Sequence, residues 1–120
     1  TWCGPFLEGP GGGEEYRWTV SSPAEATRAA NALLDWGVDF LKIQPMIDIA
    51  EVMALVEVAE RRGSYVVGHV PDGTSAIVAA ELGLRGIEHL SPYMRLTDAE
   101  LDATITTFRA HEVWVSPALY

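Results

Sequence analysis

Three observations in the sequence predict an α/β fold, built as about half of a (β/α)8 TIM barrel. Amphipathic helical stretches alternate strictly with short apolar runs, a pattern that implies parallel strands joined by right-handed helical crossovers. Three successive apolar runs each deliver one polar side chain near their far end. These are Lys42 in Gly37-Val38-Asp39-Phe40-Leu41-Lys42-Ile43-Gln44-Pro45, His69 in Ser64-Tyr65-Val66-Val67-Gly68-His69-Val70, and His89 in Arg85-Gly86-Ile87-Glu88-His89-Leu90. The chain has 120 residues, enough for one domain core but short of the ~250 of a complete barrel. A doubly wound sheet shows the same alternation. The barrel is preferred because the three polar groups sit at one depth, and barrel active sites are shared among the C-terminal ends of several strands.

The elements follow in order. Residues 1–20 read as an irregular Gly-rich loop punctuated by Gly4-Pro5, Gly9-Pro10 and Gly11-Gly12-Gly13. The triple glycine follows no clear strand and opens no helix, which disfavours a phosphate loop. Thr1-Trp2-Cys3 reads as the stub of an earlier strand. Ser22-Pro23-Ala24-Glu25 is a helix start with a cap, a first-turn proline and a capping-box glutamate. Ala26, Ala29, Ala30, Leu33 and Leu34 form its apolar stripe, and Gly37 ends it. A strand over Phe40–Gln44 is closed by Pro45. Asp48 and Glu51 repeat the capping box, with Ile49, Val52, Met53, Val56 and Ala59 as the buried face. Arg61 and Arg62 suit the negative helix end, and Gly63 stops it. Tyr65–His69 is the next strand. Pro71-Asp72-Gly73 turns, Thr74 caps, and Ala76, Ile77, Ala79 and Ala80 run to Gly83. Ile87–Leu90 is a third strand. Thr97 and Glu100 form another capping box before Leu101, Ile105 and Phe108, on a helix ending near His111. Val113-Trp114-Val115 is a fourth strand. One partial barrel domain is expected over residues 1–120.

Bulk properties exclude several classes. Hydrophobic residues make up 48% and charged residues 21%, the balance of a globular chain. The net charge of −9 disfavours nucleic acid and anionic membrane surfaces as partners. Cys3 is the only cysteine, so no internal disulfide forms and the compartment stays open, with the cytoplasm as default. No apolar run is long enough for a transmembrane helix. The sequence lacks an initiator Met and stops directly after a strand-like run, so both ends read as cut and a fragment is expected.

Strand alternation decides which side chains meet. With Lys42 pointing inward, Phe40 and Gln44 join it while Leu41 and Ile43 face the helices. Val67 then accompanies His69, and Ile87 accompanies His89, so Glu88 is expected to point away as a structural partner. Histidines on neighbouring parallel strands lie about one strand spacing (~4.8 Å) apart, within reach of one metal ion; imidazole suits zinc and its neighbours. A single such histidine is more often a buried hydrogen-bonded residue. An ammonium beside a metal is repelled, so Lys42 would be neutral or modified. A buried neutral amine can take up carbon dioxide to become an anionic carbamate ligand. The alternatives are a Schiff-base lysine of a lyase barrel, and a non-catalytic βα binding module in which all three residues are structural.

Taken together, Gly37-Val38-Asp39-Phe40-Leu41-Lys42-Ile43, Gly68-His69-Val70-Pro71 and Gly86-Ile87-Glu88-His89-Leu90 resemble the middle of the metal-dependent amidohydrolase superfamily, in its imidazolonepropionase- and prolidase-like branch. The resemblance runs from about Gly4 to Tyr120 and implies strands corresponding to about the fourth to seventh of the barrel. It implies that Lys42 is a carboxylated lysine, catalytic as well as metal-binding, and that His69 and His89 are metal ligands. It implies one or two divalent ions, zinc by preference, and hydrolysis of amide or cyclic C–N bonds by a metal-activated hydroxide. The substrate would be a small molecule or dipeptide-like. The family's His-x-His pair and general-base Asp are absent here, so this chain alone is expected to be inactive. Tyr93 and Arg95 after His89, and Glu8, Glu14 or Tyr16 in the first loop, are candidate substrate contacts. Cys3 is expected to be inert, and His111 to favour a helix end.

Overall fold

A computed structural model describes residues 1–13 and 15–117. Its elements in chain order are β1 (Phe6–Glu8), β2 (Arg17–Thr19), α1 (Pro23–Asp35), β3 (Leu41–Ile43), α2 (Ile49–Arg61), β4 (Val66–Gly68), α3 (Ala76–Glu81), β5 (Leu84–Glu88), α4 (Asp98–His111) and β6 (Trp114–Ser116). The six strands form one sheet in the order β2-β1-β3-β4-β5-β6, and every pairing is parallel. From β3 onward strands and helices alternate, as in a partial (β/α) barrel. Among the described residues no helix is long and apolar enough to cross a membrane.

One face of the sheet carries the helices. Leu7, Leu41, Ile43, Val66, Leu84 and Ile87 are buried there with Ala26, Ala29, Ala30 and Leu33 of α1, Val52, Leu55 and Ala59 of α2, and Ala79 and Ala80 of α3. The small alanine stripes let α1, α2 and α3 sit close to the strands. On the opposite face Phe40 stacks on Tyr65, with ring centroids 5.6 Å apart, as their neighbours' pairing of Leu41 with Val66 requires.

The ends of the helices follow local chemistry. Ser22 accepts from the Glu25 N–H, while the Glu25 carboxylate accepts from Ser21 rather than from Ser22. Thr97 and Glu100 close a full capping box on α4. Two expected caps differ. Asp48 makes no side-chain capping bond on α2. Ser75, not Thr74, caps α3 by accepting from Val78, because the Thr74 hydroxyl is spent on the Pro71 carbonyl within the turn.

Other expectations are corrected. Residues 1–20 are not all loop: β1 and β2 lie within them, and Thr1-Trp2-Cys3 precedes β1 without being strand. These strands are three residues long, too short for periodicity to reveal. The third clear strand is Leu84–Glu88, which leaves His89 and Leu90 beyond its end. On α2 the buried set is Glu51, Val52, Leu55, Val56, Val58 and Ala59, whereas Ile49 and Met53 are exposed. Glu57, Glu60 and Arg61 mark its exposed side, and Met53 lies among them at helical spacing. On α4, Thr104 and Phe108 are buried, and Leu101 and Ile105 are largely exposed.

Gly68 is a steric requirement. Its φ is 140°, and a Cβ there would lie 2.2 Å from the Ile43 carbonyl oxygen. Gly68→Ala is therefore expected to abolish cooperative folding or cost more than ~3 kcal/mol, whereas Thr97→Ala, which removes one cap, should cost about 1 kcal/mol. Urea unfolding of both variants followed by circular dichroism checks the order.

Candidate metal centre

The site lies at the C-terminal ends of β3, β4 and β5. Leu41 and Ile43 are fully buried on the helix side, so Lys42 between them faces inward. Its Nζ lies 2.9 Å from Glu88 Oε2, and both side chains are only 18% and 19% exposed. The same ammonium sits 4.5 Å from the centre of the Phe6 ring, an attractive cation–π contact. On β4, Val66 belongs to the helix-side core, while Val67 is opposite Lys42 in register. His69 follows two residues later, and its N–H donates to the Ile43 carbonyl at 3.2 Å.

Glu88 corrects the expected arrangement. Ile87 is buried in the helix-side core, so Glu88, the next residue, points into the site, as its bond to Lys42 requires. A register irregularity between β4 and β5 skips Arg85, pairing Val66 with Leu84 and Val67 with Gly86. Strict alternation would then turn His89 outward. Instead His89 has left the strand with φ 69°, a left-handed conformation that non-glycine residues adopt rarely. That turn carries its ring back to within 4.7 Å of the His69 ring, centre to centre. Alternation counted from His89, one residue past the strand's end, misplaces Glu88. The usable signal is the buried Ile87 beside it; Leu84 shares that face only through the irregularity at Arg85.

His69, Glu88 and His89 can each offer one donor atom, with all these atoms within 4.8 Å of one another. His69 Nδ1 is buried and has no hydrogen-bond partner. Burial holds the His69 pKa below 6.5, reinforced by His89 and Lys42 and opposed by the Ile43 hydrogen bond and by Glu88. A neutral imidazole with an unsatisfied buried nitrogen is the state a metal ligand needs. Two imidazoles and a carboxylate suit zinc and related first-row ions, so the residues fit a divalent metal.

The remaining candidates are placed as follows. Tyr93 packs its ring edge-on against Phe108, 6.0 Å away. Its hydroxyl is buried without a partner, and burial pushes its pKa up to about 12. Arg95 is exposed. Glu8 is buried on β1 and ion-paired with Arg17. The triple glycine bends around this pair, since a Cβ on Gly12 would collide with the Glu8 carboxylate. Tyr16 is 82% exposed, and Glu14 lies outside the described residues. Burial raises the Cys3 thiol pKa, partly opposed by Lys42, which makes it a weaker nucleophile. His111 occupies the last turn of α4. At the same rim, Gly9, Pro45, Met46, Asp48, Glu51 and Asp72 line a cavity of about 310 Å³.

The fold and these side chains define a partial β/α barrel with a candidate metal centre at the C-terminal end of its strands. Neither a protein-family model nor a curated protein matches the sequence. Solved structures do. The bottromycin amidohydrolase is 29% identical, with a TM-score of 0.68 over 93% of this chain and 27% of its own. A prolidase complexed with N-methylphosphonate-L-proline is 20% identical (TM-score 0.73), over 94% of this chain and 34% of its own. A Xaa-Pro dipeptidase with bound methionine is 19% identical (TM-score 0.70), over 96% and 34%. At such identities the last two speak to fold alone. The fold is part of a β/α barrel like that of these hydrolases. The chain spans about a third of the length of the solved chains it matches.

The lowered His69 pKa has a definite sign. The unfolded chain, with His69 near 6.5, takes up a proton that the folded chain resists. Its contribution to stability is present above 6.5 and is lost as pH falls toward the folded value. In chelator-treated protein, the urea midpoint should drop more between pH 7.5 and 5.5 for the wild type than for His69→Asn.

Proposed function

We propose that the chain supplies part of the metal site of a hydrolase that cleaves amide or cyclic carbon–nitrogen bonds in small-molecule or dipeptide-like substrates. The observation that carries this reading is the meeting of Lys42, His69 and His89 at the C-terminal ends of adjacent parallel strands, on a fold shared with an amidohydrolase. The prolidase carrying a proline-derived phosphonate and the dipeptidase carrying methionine support small, amino-acid-like substrates.

In this reading His69 and His89 hold a divalent ion, zinc by preference. When bound, the ion supplies the Lewis acidity that activates water and polarises the scissile carbonyl. Lys42 contributes as a carbamate: its amine nitrogen bonds to the carbon of carbon dioxide and gives up one proton, leaving an anionic oxygen ligand. The apolar wall of Phe6 and Val67 restricts water around that group. Tyr93 and Arg95 lie on the segment after β5, and the exposure of Arg95 supports a contact with a substrate carboxylate. The His-x-His pair and the general-base Asp implied by the family resemblance would come from elsewhere in the protein, and this chain alone would not turn over substrate.

In the complete protein, His69→Ala and His89→Ala should each remove stoichiometric zinc, read by elemental analysis, and lower dipeptide hydrolysis at least ~100-fold. Unchanged metal content in both variants would sink the proposal. Lys42→Ala should erase a carbamate carbon signal seen after growth or exchange in 13C-bicarbonate. Borohydride trapping of substrate on Lys42 would instead establish the lyase reading.

A further inference from the structure

Glu88 is the one charged group of the cluster that the proposed hydrolysis does not use, yet it lies at the cluster's centre. It pairs with Lys42 at 2.9 Å, and its carboxylate is grouped with the donor atoms of His69 and His89 within 4.8 Å. Consecutive strand residues ordinarily face opposite sides of a sheet. Here Glu88 and His89 reach the same place only because His89 takes a left-handed turn. Backbone strain of this kind persists where the surroundings enforce it, and it concentrates at functional sites.

We infer that Glu88 is an exchangeable third donor: it neutralises Lys42 when no ion is present, and with His69 and His89 it ligates a divalent ion, so that these 120 residues hold one ion without the rest of a barrel. The inference rests on the metal reading of His69 and His89 and extends it to a residue and a competition outside that reading. Zinc-bound donors at 2.0–2.2 Å from the ion lie roughly 3.3–3.6 Å apart in a tetrahedron. The three donor atoms, within 4.8 Å of one another, therefore have at most on the order of 1 Å to close, and His69 Nδ1 is buried without a partner. The charge balance gives the direction of the competition. Two neutral imidazoles and one carboxylate carry a net charge of −1, which at equal distance attracts a divalent ion about twice as strongly as it attracts a lysine ammonium. The Lys42 ammonium holds Glu88 Oε2, and its charge repels the ion. An unmodified Lys42 thus opposes metal binding, the reverse of its role as a carbamate.

Cobalt(II) titration of the chain in carbon dioxide-free buffer, followed by visible absorbance, separates these roles. We expect one cobalt per chain, at least tenfold weaker binding in Glu88→Gln, and several-fold tighter binding in Lys42→Met. Circular dichroism establishes that each variant is folded; if Glu88→Gln does not fold, the Lys42→Met arm decides alone. Wild-type affinity in a folded Glu88→Gln, or weaker binding in Lys42→Met, overturns the role of Glu88 while leaving the histidines as ligands. Cobalt binding that is absent, or that survives His69→Ala and His89→Ala, overturns the metal reading itself.

Discussion

An ammonium on β3 and a carboxylate on β5 meet at 2.9 Å across a strand that contributes neither. That contact depends on the whole sheet. Lys42 must face away from the helices, which the burial of Leu41 and Ile43 enforces. The intervening strand must be low where the lysine crosses it, and Val67 lies directly beside Lys42 in register. Strand β5 must present Glu88 inward, which follows from the burial of Ile87 and from the register irregularity at Arg85. The backbone register sets the relative depth of the three strands, and breaking this pair would leave one largely buried charge uncompensated. The two imidazoles then arrive at the same depth.

Much of the fold was legible because its signals are local. Helix starts at Ser22 and Thr97 are written in a few residues each, and both capping interactions form. The four helix–strand units from α1 to β6 were readable from apolar runs bounded by Gly and Pro. What escaped was either too short or too mixed to carry a clear period. Strands β1 and β2 are three residues each; β1 is held by β3, distant in sequence, and β2 by β1 alone. The face of α2 is blurred because the apolar Ile49 and Met53 share the exposed side with Glu57, Glu60 and Arg61.

Within the proposed site the sequence leaves one facing wrong. His69 and His89 come together, with Lys42 joined to them through Glu88, because strand ends in a parallel sheet lie at one edge. Glu88 was assigned outward by alternation counted from His89. The count failed because alternation holds only within the strand, and the strand stops at Glu88. The apolar residues of a strand are the better reference for its facing, since their burial is a large free energy and a terminal histidine's orientation is a local backbone choice.

Residue 89 answers to two demands that no other amino acid meets together. Its backbone stands at φ 69°, where glycine would be more comfortable by about 1 kcal/mol. Its ring stands against His69, where glycine would leave nothing. A campaign to stabilise this protein by relieving backbone strain would rank glycine highly at this position and, in accepting it, discard an imidazole from the cluster. Thermostability and chemistry therefore pull against each other at one residue, and a heat-selected variant of this fold is best judged by what it retains there.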